Sequence, residues 1–200
     1  MPFDHNDHYH PLLLRSVPPD ARRALDVGCG TGAFARALAR RGLEVDAVDR
    51  DESVLAAARA SGGPAPIRYR QADLTALQLT PGHYDFISCL ASLHHLPLDT
   101  LARLREALAP GGVLVVLGCY RETTPGDRLI SLTAVPVNAL CRLAVHLRER
   151  GAPPSRVRAP VTMPQTSLPE IRAYAERHLP GFRVRRLLFW RYLLAYRRPW

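Results

Sequence analysis

Residues 24–34, Ala-Leu-Asp-Val-Gly-Cys-Gly-Thr-Gly-Ala-Phe, constrain this chain more than any other stretch. Ala24, Leu25 and Val27 around Asp26 read as a short buried strand. The strand empties into a turn carrying Gly28, Gly30 and Gly32, after which Phe34, Ala37 and Leu38 fall on one helical face. Glycines at such a turn let the backbone take positive φ and let a ligand approach without Cβ atoms in the way. The helix that follows presents free N–H groups and the positive end of its dipole to whatever occupies the turn. Together these features predict a nucleotide-type site at the carboxyl end of the first strand of an open α/β sheet.

Gly28-x-Gly30-x-x-Ala33 satisfies a loose dinucleotide fingerprint, so the glycines alone do not choose the nucleotide. Asp26 discriminates better. A carboxylate near a buried strand end is costly unless paired; it would repel a pyrophosphate and welcome an ammonium. The run 25–32, Leu-Asp-Val-Gly-Cys-Gly-Thr-Gly, resembles the first motif of the class I S-adenosylmethionine-dependent methyltransferases, of the small-molecule, type 11/12 kind. The resemblance implies that Gly28, Cys29, Gly30 and Gly32 cradle the methionine half of S-adenosyl-L-methionine, and that Asp26 helps bind its amino group.

Two hundred residues suffice for a single domain with its own core. No basic, apolar and small-residue succession of a secretory signal opens the chain. The four cysteines, Cys29, Cys89, Cys119 and Cys141, form no Cys-x-x-Cys pair, which fits reduced thiols and a cytoplasmic setting better than disulfides or zinc. The net charge of +9 comes entirely from arginine, since no lysine occurs. With abundant Ala, Pro and Leu this pattern reads as GC-rich coding bias, a weaker pointer to nucleic acid than a clustered basic stripe.

Residues 1–19 hold His5, His8 and His10 with Asp4 and Asp7, a set with some metal-binding character. No second ligand cluster follows, so no metal is expected and the segment reads as a polar cover over the cofactor mouth. The resemblance places Tyr9 and His10 among the groups that close the site and face substrate. The first helix is expected over 32–41, with Gly42 capping its end. A strand over 43–49 ends on Asp49, about twenty residues past the glycines, where an acid can accept both ribose hydroxyls; capping the helix 51–60 is the alternative, open to Asp49 or Asp51. Arg50 follows and is grouped with the cofactor residues. A third strand, 67–71, leads to Asp73 and Leu74, which the resemblance assigns to the adenine amino group and a ring nitrogen. Three acids after three successive strands are more specific than any one of them.

The fourth strand, 84–88, runs into Cys89, Leu90, Ala91, Ser92, Leu93, His94 and His95. This resembles the family's fourth motif, with Leu90 beside the cofactor. It lacks the Asn/Asp-Pro-Pro-aromatic signature of enzymes that methylate nucleic-acid bases. His94 and His95 are the candidate general bases, because imidazole titrates near neutrality. A helix from Asp99 buries Leu101, Leu104, Ala107 and Leu108; residues 109–112 stop it, and 113–117 form an apolar strand. Between 121 and 166, leucines recur at helical spacing among arginines. A substrate-covering insertion or a dimer face is expected there rather than a membrane-surface helix. Ser167-x-x-Glu170 is a capping box opening a helix to His178. A hairpin, 182–189 and 192–198, closes the chain with arginines alternating with apolar residues, an edge pattern that leaves an anionic-substrate role open.

The expected architecture is a three-layer α/β/α sandwich around a Rossmann-like, seven-stranded, mostly parallel sheet with an antiparallel last strand. The expected activity is methyl transfer from S-adenosyl-L-methionine, giving S-adenosyl-L-homocysteine, to a small aromatic or heterocyclic acceptor. A nucleic-acid methyltransferase and a non-catalytic cofactor-binding protein are the rival readings.

Overall fold

The computed structural model describes residues 5–63, 67–123 and 164–200. Seven strands form one sheet: β1 (Arg23–Val27), β2 (Glu44–Asp49), β3 (Ile67–Gln71), β4 (Tyr84–Leu90), β5 (Leu108–Cys119), β6 (Arg183–Leu187) and β7 (Arg191–Arg197), in the order β3-β2-β1-β4-β5-β7-β6. The first five run parallel; β7 enters antiparallel to both β5 and β6. The strand order reverses between β1 and β4, which is where an open α/β sheet offers a crevice beyond its strand ends.

Alternation along the strands sorts side chains onto two faces. Ala24, Val45, Ala47, Phe86, Val115 and Leu117 pack with Phe34, Ala35 and Leu38 of α2 (Ala33–Ala39) and with Tyr9 and Leu13 of α1 (His5–Leu14). α3 (Glu52–Ala60) adds Leu55 to this layer. Leu25, Val48, Ile87, Leu114 and Val116 pack on the other side with Leu101, Leu104 and Ala107 of α4 (Thr100–Ala107) and Ile171 and Ala175 of α5 (Leu168–His178). The three layers anticipated from the sequence are therefore present.

Three local expectations change. Residues 5–14, expected as a polar cover with no element assigned, form a helix with Pro11 inside it. α2 spans one turn less than 32–41, because Gly32 sits at φ 74° as its N-cap and the helix ends before Gly42 at φ 87°. α4 ends at Ala107, just ahead of residues 109–112, but these residues belong to β5 rather than preceding it. They lie within it, in the register shift between the Tyr84–Leu108 and Phe86–Val113 pairs, held by backbone bonds from Gly111 N–H to the Arg198 carbonyl and from Arg198 N–H to the Gly112 carbonyl. The insertion expected over 121–166 lies almost entirely outside the described residues. Its two ends meet: Arg121 N–H donates to the Thr166 carbonyl at 2.9 Å and bridges to Ser167.

Candidate active site

The glycine turn is held against β2. Gly28 and Cys29 N–H both donate to the Val48 carbonyl, at 2.8 and 3.0 Å, and Gly32 N–H closes the turn onto the Cys29 carbonyl. Gly28 and Gly30 take φ of 66° and 52°, which explains the residue type at both positions. Gly28 also lies so close to the β4 loop that a Cβ there would meet Ser92 Cβ at 2.3 Å. Ser92 in turn donates to the Val27 carbonyl at 2.8 Å and lies 3.1 Å from Cys89 Sγ. The exit of β1 and the exit of β4 are thus one packed unit.

Asp26 lies beneath this turn, 1% exposed. In the register of β1 against β4 it stands opposite Ser88, whose hydroxyl is 2.7 Å from Asp26 Oδ1. Among the described residues Oδ2 has no hydrogen-bond partner. Burial, reinforced by the Asp49 charge and offset by the Ser88 hydrogen bond, pushes the Asp26 carboxyl up to about 7. A buried acid with one orphaned oxygen fits a ligand that brings a cation or a donor to it.

Asp49, at the end of β2, accepts Gly30 N–H on Oδ2 at 2.9 Å and Asp51 N–H on Oδ1 at 3.0 Å. The capping alternative falls to Asp51, which accepts Ser53 N–H at 2.8 Å as the N-cap of α3. Each Asp49 oxygen holds one protein donor and keeps a lone pair for a ligand hydroxyl. The exposed Arg50 follows; its charge helps hold the Asp73 carboxyl below its usual range, after the larger effect of Thr75. Asp73 is exposed and closes a turn by accepting Thr75 N–H at 2.8 Å. Leu74 is buried in the core, with its carbonyl on Arg103 at 2.7 Å. Leu90 ends β4, paired with Leu117.

The same strand ends carry the histidines. His94 and His95 occupy a single 3₁₀ turn, Leu93–His95, with ring centroids 4.0 Å apart. His94 Nδ1 is buried with no hydrogen-bond partner among the described residues. Burial, then His95, then Arg191 push the His94 imidazole down to about 4; burial lowers His95 as well. Both rings are therefore neutral at pH 7, the form a proton acceptor requires.

Tyr9 and His10 sit differently from one another. Tyr9 is 7% exposed and its hydroxyl donates to the Leu188 carbonyl at 3.0 Å, tying α1 to the β6–β7 turn. His10 lies over Phe34 at the start of α2, with its Nε2 3.6 Å from Asp7. Among the described residues no three His, Cys, Asp or Glu side chains converge to hold a metal, and no helix is long and apolar enough to cross a membrane.

Sequence reasoning missed Ser88 and Ser92, which matter through strand register, and Asn6, which reaches the far hairpin. Their signals are non-local: Ser88 has meaning only once β1 and β4 are known to be neighbours.

Residues 25–116 match the family described as a methyltransferase domain. The chain is 36% identical over 203 residues to an uncharacterized methyltransferase of Mycobacterium tuberculosis, covering 99% of this chain and 98% of that one. It is 39% identical over 112 residues to a ubiquinone biosynthesis O-methyltransferase of Xylella fastidiosa, which spans 52% of this chain and 44% of the relative. The fold is similar to that of a crystal structure of an S-adenosylmethionine-dependent methyltransferase from Mesorhizobium loti, with TM-score 0.65, 23% identity, and 94% and 96% of the two chains covered.

Proposed function

Because the chain belongs to the class I S-adenosylmethionine-dependent methyltransferases and takes that cofactor, we propose that the acids closing β1, β2 and β3 hold its amino, ribose and adenine ends, and that the acceptor is a small aromatic or heterocyclic molecule. The observation that carries the reading is the orphaned Oδ2 of Asp26, a buried carboxylate oxygen suited to an ammonium. In this assignment Gly28, Cys29, Gly30 and Gly32 present backbone to the methionine half. Asp49 takes the sugar hydroxyls, with Arg50 beside it. Asp73 and Leu74 meet the adenine, and Leu90 lines the cofactor.

The bound sulfonium supplies an already activated methyl group. The chain then has to align an acceptor nucleophile with it and keep water away. His94 is the assigned base on geometry, its neutral ring offering a buried Nδ1 with no partner among the described residues, although the same burial weakens its basicity. His95 lies beside it, the two rings tilted by 40°. Tyr9, whose hydroxyl is engaged on Leu188, serves by fixing α1 at the site's edge, while His10 lies over the start of α2. The O-methyltransferase activity in the name of the Xylella relative supports an oxygen acceptor, whose proton His94 would take.

Isothermal titration of the protein with S-adenosylhomocysteine tests the cofactor half. Asp49→Ala is expected to weaken binding at least tenfold; unchanged affinity in that variant removes the ribose assignment. Methyl transfer to phenolic acceptors, lost in His94→Gln with cofactor affinity retained, tests the base.

A further inference from the structure

Arg191 opens β7, opposite Cys119 at the end of β5, near enough to His94 for its charge to act on that imidazole. Its guanidinium is half-buried, yet every partner it has among the described residues is neutral. Nε donates to Asn6 Oδ1 at 3.2 Å, and Nη1 to Cys119 Sγ at 2.8 Å and, weakly, to the Phe189 carbonyl at 3.5 Å. Among the described residues neither a carboxylate within ion-pair distance nor an acceptor for Nη2 is found. A buried cation without a counter-ion is costly. Arg68, by contrast, pairs with Asp46 at 2.6 Å, and Arg103 has both terminal nitrogens on the carbonyls of Leu74, Thr75 and Leu77.

The backbone beside Arg191 is also strained. Phe189 and Trp190 take φ of 60° and 57°, and Ala91, across the site after β4, takes 52°. Left-handed conformations cost non-glycine residues roughly 1–2 kcal/mol each. Such strain persists where surrounding packing enforces it, and it gathers at functional sites. Here Phe189 is 1% exposed and packs edge-on to His8 and near Tyr9 of α1. The turn therefore clamps the start of β7, and with it Arg191, at a fixed place. The Arg191 charge acts on both His94 and Tyr9.

We propose that Arg191 binds an anionic oxygen group, a carboxylate or a phosphate, on the methyl acceptor, so that the enzyme selects an acidic acceptor over its neutral counterpart. This rests on the small-molecule methyltransferase reading. The planar fork of the guanidinium suits two parallel hydrogen bonds to either anion, and Nη2 is the donor still to be used. The anion would supply the missing counter-charge and at the same time orient the acceptor toward His94. Arg191 is in this sense a specificity-determining residue.

The test uses the full chain saturated with S-adenosylhomocysteine, titrated calorimetrically with 4-hydroxybenzoate, phenyl phosphate and the neutral 4-hydroxybenzamide. At least one of the two anions is expected to bind tenfold or more tightly than the amide, and the tighter one identifies the group. Arg191→Gln should cut affinity for that anion at least tenfold while changing amide and S-adenosylhomocysteine affinity less than twofold. Arg191→Lys, which restores charge without the fork, should recover part of the loss. Equal affinity for anion and amide, no detectable binding of either anion, or a parallel loss of all ligands in Arg191→Gln overturns the proposal, the last because it marks a structural role alone. Failure of S-adenosylhomocysteine itself to bind would instead bring down the cofactor assignment, and this inference with it.

Discussion

At the residue scale the site is governed by contacts too close to tolerate a single added atom. Gly28 carries two demands at once: a φ of 66° and a backbone that lies against Ser92. An alanine there would incur the left-handed penalty of roughly 1–2 kcal/mol and would also push its Cβ into Ser92 Cβ, 2.3 Å away. Ser92 cannot step aside freely, because its hydroxyl is bonded to the Val27 carbonyl. Gly28→Ala should therefore lower the melting temperature and weaken S-adenosylhomocysteine binding at least tenfold. Ser92→Gly added to it removes the clash and leaves the φ penalty, so the double variant should regain part of both losses. A double variant no better than Gly28→Ala in melting and titration would show that the contact is not what fixes the turn. Gly30 differs: nothing lies within 4 Å of its virtual Cβ, and its N–H is spent on Asp49.

At the element scale, what could be read in the sequence was what local chemistry dictates. Ser167 and Glu170 show the reciprocal pattern of a capping box, and both halves form: Ser167 N–H reaches Glu170 Oε2 at 2.7 Å, and Glu170 N–H reaches Ser167 Oγ at 3.5 Å. Ser167→Ala should cost about 1 kcal/mol, a drop of roughly 2–4 °C in melting temperature for a chain of this size. S-adenosylhomocysteine affinity should stay unchanged, since α5 packs on the face opposite α2. Calorimetry showing no shift would mean that packing of Ile171 and Ala175 alone sets the helix. The glycine turn and the acids at the carboxyl ends of β1, β2 and β3 were legible for the same reason, each being written within about ten residues. α1 was not, because a stretch with Pro11 inside and polar residues at its start has no helical signature of its own; burial of Tyr9 and Leu13 against distant elements holds it. The early start of β5 was hidden behind Pro110, Gly111 and Gly112, which usually end elements but here sit in a register shift after the Leu108–Tyr84 pair, with Gly111 and Gly112 bonded to the Arg198 backbone. Asp26–Ser88 and Arg191–Asn6 depend on chain segments 62 and 185 residues apart, which no local pattern encodes.

At the scale of the whole molecule, folding shifts the titration of Asp26 and of His94 in opposite directions, and the consequence is a stability that hides its own pH dependence. An unfolded aspartate titrates at about 3.9 and an unfolded histidine at about 6.5. In the folded chain Asp26 is raised to about 7 and His94 lowered to about 4. Between those limits the native state keeps a proton on Asp26 that the unfolded chain has lost. It also lacks a proton on His94 that the unfolded chain holds. Stability changes with pH in proportion to protons bound by the unfolded chain minus those bound by the native one. Asp26 alone would make stability fall as pH rises from about 4 to 7; His94 alone would make it rise over nearly the same span. Each slope is at most about 1.4 kcal/mol per pH unit, and the two oppose. His95, also lowered, adds to the His94 side. Asp51, Asp73 and Glu170 are held below their usual range, so their contributions are lost mainly below this window. The ligand-free wild type should thus show a shallow dependence of unfolding free energy on pH across this range in urea melts. Asp26→Asn should steepen it upward with pH, and His94→Gln should tilt it downward. If both variants keep the wild-type slope, the two groups are not buried in the protonation states that the geometry implies, and Asp26 loses its claim to be the waiting partner of an ammonium.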